Sequence, residues 1–314
     1  EDNRPYRANN TDRLTNLEYS RLHQRRTTMS IIANSAVLVR LNIGVWGASK
    51  RNKDLEAEVA RNKNADPKAI RMYDNMMVGS TGHKDIQKHA ANTRLWHTSM
   101  TLPWDERGYR LCPTSLFLDY KSQHNIKRDT FNAMKDTFRV KYLSYRETAK
   151  AYRGDMFNEY DYPSVAEALS KFSWNFTVAP VPESGHLCID LPEKEMEEVR
   201  ASCDVEVERR IAEGVKENEK RLLKELEGIS KKCTDTGDED ESEKRWHDSF
   251  VSNPLHLCRM LKHTNLTADP KIEEARLRLE QLMEGKDKDM FKDDPQVRET
   301  VKKEVDSIIK SYDW

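Results

Sequence analysis

Phe172-Ser173-Trp174-Asn175-Phe176-Thr177-Val178 alternates aromatic or aliphatic side chains with polar ones. That period of two is the mark of a strand with one buried face. Ala179-Pro180-Val181-Pro182 stops the run, Glu183-Ser184-Gly185 turns it, and His186-Leu187-Cys188-Ile189-Asp190-Leu191 reads as a returning strand. A third candidate lies upstream at 37–46, with Val39, Leu41, Ile43 and Val45 on one face and Arg40, Asn42 and Gly44 on the other, ended by Gly47. About three strands form an independently stable sheet only when a helix covers them.

Helices flank the hairpin on both sides. Residues 129–152 repeat Phe131, Met134, Phe138, Tyr142, Tyr145 and Ala149 every three or four positions, an apolar stripe with cations on the remaining surface. A short helix at 164–171 opens with Ser164 and Glu167 at capping-box spacing behind Pro163. Asp190, with Glu193 three residues on, reads as the cap of a helix reaching about 229. Its stripe is Met196, Val199, Cys203, Val207, Ile211, Val215, Leu222, Leu226 and Ile229, and Gly214 inside it points to close packing or a bend.

Upstream, helices are expected around 53–63, around 67–78 behind Asp66-Pro67, and over 83–101, where His83, His89 and His97 read as surface or partner-facing residues. Downstream, a helix at 244–263 is expected to break at Pro254, and two more start at Asp269-Pro270 and Asp294-Pro295. The fold class is therefore α+β and helix-dominated: a small antiparallel sheet of about three strands packed with the long helices at 129–152 and 192–229. The organisation reads as a basic N-terminal arm at 1–36, an α+β core at 37–232, an acidic linker at 233–243 and a helical C-terminal region at 244–314.

The net charge of −1 hides an asymmetry, because residues 1–157 carry 28 Lys and Arg against 17 Asp and Glu, whereas residues 158–314 carry 25 against 37. Such a division suits a chain whose first half faces a polyanion or whose halves attract. The arm adds Arg4, Arg7, Arg13, Arg21, Arg25 and Arg26, with Tyr6 and Tyr19 between them. The five cysteines are spread without a C-x-x-C pair, which argues for reduced thiols in a cytoplasmic protein. No run approaches the ~20 apolar residues of a membrane span, and the polar N-terminal stretch is not a secretory signal.

Motifs for cofactor-dependent or hydrolytic chemistry are missing: the chain has no phosphate-binding glycine loop, no dinucleotide fingerprint, no H-E-x-x-H and no G-x-S-x-G. No catalytic residue, cofactor or metal is therefore expected; His256, Cys258 and His263 diverge on a helix, and the acidic 233–243 run lacks calcium-loop spacing. The segment that stands out is 101–113, where Trp104, Arg107, Tyr109 and Arg110 surround Gly108 between Pro103 and Pro113. Arginines there can grip a phosphate and the rings can stack on a base, or the segment can be a rigid turn docked on the sheet. Together with Lys135, Arg139, Arg146 and Arg153 of the 129–152 helix region, these residues form the candidate nucleic-acid-binding set.

The order T-x-P-W-x-x-x-G-x-R-x-x-P from Thr101 to Pro113 resembles an uncharacterised phage protein family. So do Asp161-Tyr162-Pro163-Ser164, the Pro180-Val181-Pro182…Gly185 turn, Trp246-His247-Asp248-Ser249-Phe250-Val251 and Asn265-Leu266-Thr267 before Asp269-Pro270. The resemblance covers roughly 37–312, and distantly extends to a bacterial domain of unknown function found near recombination genes or near a MoxR-type AAA ATPase with its von Willebrand A partner. It implies phage DNA metabolism or an ATPase-linked assembly. The expectation is a non-enzymatic, homo-oligomeric protein that binds single-stranded DNA through its basic half. The alternatives are an adaptor of the ATPase, docking through the 196–229 stripe, or a virion subunit.

Overall fold

The computed structural model describes residues 34–183, 192–234 and 246–312. They form two compact units. The first comprises the described parts of Glu1–Val39, Ser99–Leu118 and Val178–Trp314, and the second Arg40–Thr98 and Asp119–Thr177. The class is α+β with helices dominant, as expected.

Strands β1 (Ala36–Gly44), β4 (Leu102–Pro103), β5 (Arg110–Pro113) and β6 (Ser173–Pro180) make a sheet in the order β4-β5-β1-β6, and β2 (Ser49–Arg51) pairs with β3 (Tyr73–Asn75) in a separate ribbon. In the register Ala36 faces Pro113, Val39 faces Arg110 and Leu102 faces Leu111. The strands expected at 37–46 and 172–178 are thus present, whereas the returning strand at 186–191 lies outside the described residues. So do the N-terminal arm through residue 33 and the acidic run from 235 to 245. The segment 101–113, expected as a loop, supplies two further strands. The hairpin closes because Tyr109 N–H donates to the Asp105 carboxylate (2.8 Å), while Gly108 adopts a left-handed φ of 88° that other residues rarely accept.

The helices of the second unit are α1 (Lys53–Asn62), α2 (Thr81–Ser99), α3 (Thr114–Arg153) and α4 (Val165–Ser170), the first turns of α3 and the last residue of α2 belonging to the first unit. The long helix starts fifteen residues earlier than expected, because Leu116, Tyr120 and His124 extend the buried stripe of Phe131, Phe138, Tyr142 and Ala149 backwards. The expected helix at 67–78 is instead one 3-10 turn at Pro67–Ala69, capped by Asp66, followed by β3. There the Glu56 carboxylate accepts from the Met72 N–H (3.0 Å) and the Arg51 guanidinium (2.7 Å), holding the chain extended. The capping box of α4 is as read: Ser164 and Glu167 satisfy each other's backbone N–H groups. Ser164→Ala should cost ~1 kcal/mol, visible as a lower urea midpoint.

The histidines of α2 correct another expectation. His83 and His97 are buried, not at the surface. Nε2–H of His83 donates to the Trp46 carbonyl (2.8 Å), and His97 Nδ1 meets the Tyr120 hydroxyl (2.8 Å). Each imidazole found an internal partner, so burial cost little. Around them the core of this unit gathers Ile43, Trp46, Met77, Ile86, Phe131, Phe138, Tyr142 and Phe172.

The first unit contains α5 (Glu193–Cys233), α6 (Ser249–Thr264), α7 (Pro270–Met283), α8 (Lys288–Asp293) and α9 (Pro295–Ser311). Asp269 and Asp294 cap α7 and α9 as read, accepting from Lys271 and Gln296 N–H at 2.8 Å. Pro254 does not break α6, which runs through it, and α5 begins behind Pro192. Leu222, Leu226 and Ile229 of α5 pack on Leu261, Leu279, Phe291 and Val305 in one core. A second core joins Leu38, Leu102, Trp104, Leu111 and Val207. Gly214 faces Leu102, but a Cβ there would meet Leu102 Cδ1 at 3.4 Å, an ordinary van der Waals contact, so the packing does not itself require the glycine.

Candidate nucleic-acid interface

Lys121, Arg128, Lys135, Arg139, Arg146 and Arg153 follow one another along α3 at steps of seven, seven, four, seven and seven residues. A seven-residue step on an α-helix returns to within about 20° of the same direction, so these cations share one flank, and from Lys121 to Arg146 the row spans about 37 Å. The unit that carries them holds 21 Lys and Arg against 14 Asp and Glu.

The cations differ in what they do locally. Arg139 and Arg128 keep 59% and 42% of their side chains exposed beside Asp136 and Asp129. Lys135 Nζ reaches the Phe172 carbonyl (3.4 Å). Arg146 is half-buried, and its Nε is shielded from solvent without a hydrogen-bond partner. An unsatisfied buried guanidinium N–H is costly. Arg153 is different again: its side chain is 5% exposed, 2.5 Å from the Asp74 carboxylate, and it donates to the Tyr162 hydroxyl (3.2 Å).

Strand β6 lies at the end of the sheet and packs its aromatic residues on the same helix. Trp174 stands 5.3 Å from Phe131 and Phe176 4.1 Å from His124, ring centre to ring centre, and both rings remain partly exposed. Lys121 Nζ sits 4.4 Å from the Phe176 centroid, a cation–π contact. His124 joins the two elements: the Trp174 indole N–H donates to its Nε2 (3.0 Å), and Nδ1–H donates to Asn125 Oδ1 (3.2 Å). Burial holds the His124 imidazole below its ordinary pKa, against the opposing pull of Asn125.

The hairpin residues singled out from the sequence sit in the first unit and are mostly occupied. Trp104 is buried with the Arg210 guanidinium 5.3 Å over its ring. Arg110 donates through Nε to Thr101 Oγ1 (2.7 Å) and through Nη2 to the Thr101 carbonyl (3.0 Å). Tyr109 is half-buried, and Arg107 is exposed on a groove shared with Asp105, Glu106, Glu206, Arg209, Arg210 and Glu213, where acids outnumber bases by four to three. The eight residues therefore fall into two sets: Trp104, Arg107, Tyr109 and Arg110 in one unit, Lys135, Arg139, Arg146 and Arg153 in the other. Sequence reasoning passed over Lys121, His124, Trp174 and Phe176; the seven-residue spacing of the cations was the signal that could have found the first.

Burial raises the thiols of Cys112 and Cys258 to about 12, so both are poor nucleophiles. Among the described residues no group of three or more His, Cys, Asp or Glu is placed to hold a metal, and no helix is long and apolar enough to cross a membrane. No family model, curated protein or solved structure matches the chain.

Proposed function

We propose that the chain is a non-enzymatic, self-associating phage protein of DNA metabolism that binds single-stranded DNA along the cationic flank of α3, beside Trp174 and Phe176. The observation that carries the reading is the row Lys121, Arg128, Lys135, Arg139 and Arg146 running next to two part-exposed rings on an end strand. Cations track the phosphates while rings stack on unpaired bases, a combination that favours single strands and tolerates sequence. Arg153 and Arg110, committed to Asp74 and Thr101, are left out of the contact set. Self-association is the reading of the apolar residues left exposed on α3: Leu118, Ile126, Val140 and Leu143. The phage and recombination setting rests on the sequence resemblance. An ATPase adaptor would need a different docking element, because Leu222, Leu226 and Ile229 of the 196–229 stripe are spent on their own unit's core.

The test is fluorescence anisotropy of labelled single- and double-stranded DNA at about 50 mM and about 200 mM salt. Single strands should bind more tightly, and affinity should fall steeply with salt. Replacing Arg128, Lys135, Arg139 and Arg146 together by Gln should flatten the salt slope by about 0.7 for each contact removed. No binding at low salt would overturn the proposal, and loss of binding through Arg107→Gln with the quadruple variant unaffected would overturn its placement on α3.

A further inference from the structure

We infer that His124 is a positioning residue for this interface: as a neutral acceptor it holds the Trp174 indole against α3, and taking up a proton releases that indole. The inference rests on the reading of β6 as a stacking surface, but the latch itself is a matter of hydrogen-bond polarity. An indole nitrogen can only donate. With Trp174 Nε1 3.0 Å from His124 Nε2, that imidazole nitrogen must present its lone pair. The single ring proton then sits on Nδ1, where Asn125 Oδ1 accepts it at 3.2 Å. Both nitrogens are matched in one tautomer only. A second proton has to enter at Nε2, facing the indole N–H, and two donors cannot share that bond.

The surroundings set how readily this happens. From α3 the charged neighbours are Lys121, Arg128 and Asp129, with Asn125 the polar one; from β6 come the Trp174 and Phe176 rings; and Tyr120, next to Phe176, carries the hydrogen bond to His97 of α2. Burial opposes protonation most, partly offset by the Asn125 hydrogen bond, and two cations against one carboxylate add to it, so the latch stays closed at neutral pH and opens on acidification.

The experiment follows the Trp174 indole N–H resonance of the full chain, assigned through Trp174→Phe, between about pH 7.5 and about pH 4.5, a range carried well below the ordinary histidine value because burial lowers this one. In the wild-type protein the resonance should move and its exchange with water should rise about fivefold or more, the worth of one hydrogen bond. In His124→Gln, whose amide oxygen still accepts but cannot titrate, it should stay in place. A resonance that does not respond in the wild type, or one that titrates identically in His124→Gln, overturns the latch. In parallel, single-strand affinity should fall severalfold on acidification in the wild type and stay flat in His124→Gln. A latch that opens while DNA binding stays unchanged overturns the positioning role. Absence of DNA binding at every pH, with the latch still titrating, would instead sink the proposed function and leave the latch standing.

Discussion

Arg153→Ala is expected to destabilise the second unit by ~3–5 kcal/mol, the usual consequence of stripping one partner from a buried ion pair. The side chains of Arg153 and Asp74 are 5% and 8% exposed and lie 2.5 Å apart. Without the guanidinium, the Asp74 carboxylate would retain the Asn52 amide (3.1 Å) as its side-chain donor and lose charge compensation, while the Tyr162 hydroxyl would lose a donor. The double change Arg153→Met with Asp74→Leu should recover most of the loss, since it removes both charges together. Because a chain of two units need not unfold in one step, amide hydrogen exchange within Arg40–Thr98 and Asp119–Thr177 is the appropriate readout. A single variant of near wild-type protection would show that the pair contributes little, and would return Arg153 to the candidate phosphate contacts.

Phe138→Ala should cost a similar ~3–5 kcal/mol. The ring is almost wholly buried and meets Tyr142 at 5.6 Å, Tyr145 at 5.8 Å, Phe172 at 5.4 Å and His83 at 6.1 Å between centres. Its neighbours are held by their own hydrogen bonds, Tyr142 to the Pro163 carbonyl and His83 to that of Trp46, so the cavity has little freedom to collapse. Phe138→Leu should cost much less, because the volume lost is smaller. Phe172 immediately precedes β6, so DNA affinity should drop in Phe138→Ala as well, even in protein that remains folded. Exchange protection unchanged in Phe138→Ala would mean that this aromatic cluster is not the keystone of its unit.

What could be read from the sequence was mostly local. Ser164, Asp269 and Asp294 announce helix starts by chemistry that acts within three residues, and each caps as read. The alternation of β6 and the stripe of α5 are visible because one face of each is consistently apolar. The failures have physical causes too. Strands β4 and β5 are only 2 and 4 residues long, too short for a period to show, and prolines at their ends disguised a hairpin as a loop. The early turns of α3 put a histidine at a core position, and His124 is tolerable there because Trp174, fifty residues away, donates an indole N–H hydrogen bond to the ring. The candidate interface was legible in part: the cations of α3 are regular in the sequence, but the carboxylate that takes Arg153 out of the row is 79 positions away. Likewise, the sequence leaves Arg110 open to a phosphate or to a rigid turn, and it is Thr101, nine positions before it, that takes its N–H groups.

The most direct test of a single-strand interface on α3 and β6 is photo-cross-linking of the full chain to an iododeoxyuridine-substituted oligonucleotide, with the adducts mapped by mass spectrometry. Adducts at Trp174 or Phe176 and on α3 peptides around Lys135 to Arg146, lost when Arg128, Lys135, Arg139 and Arg146 are replaced together, are the predicted result. Adducts confined to the hairpin at 101–113, or none under conditions where the wild-type chain is folded and the oligonucleotide is in excess, would contradict it.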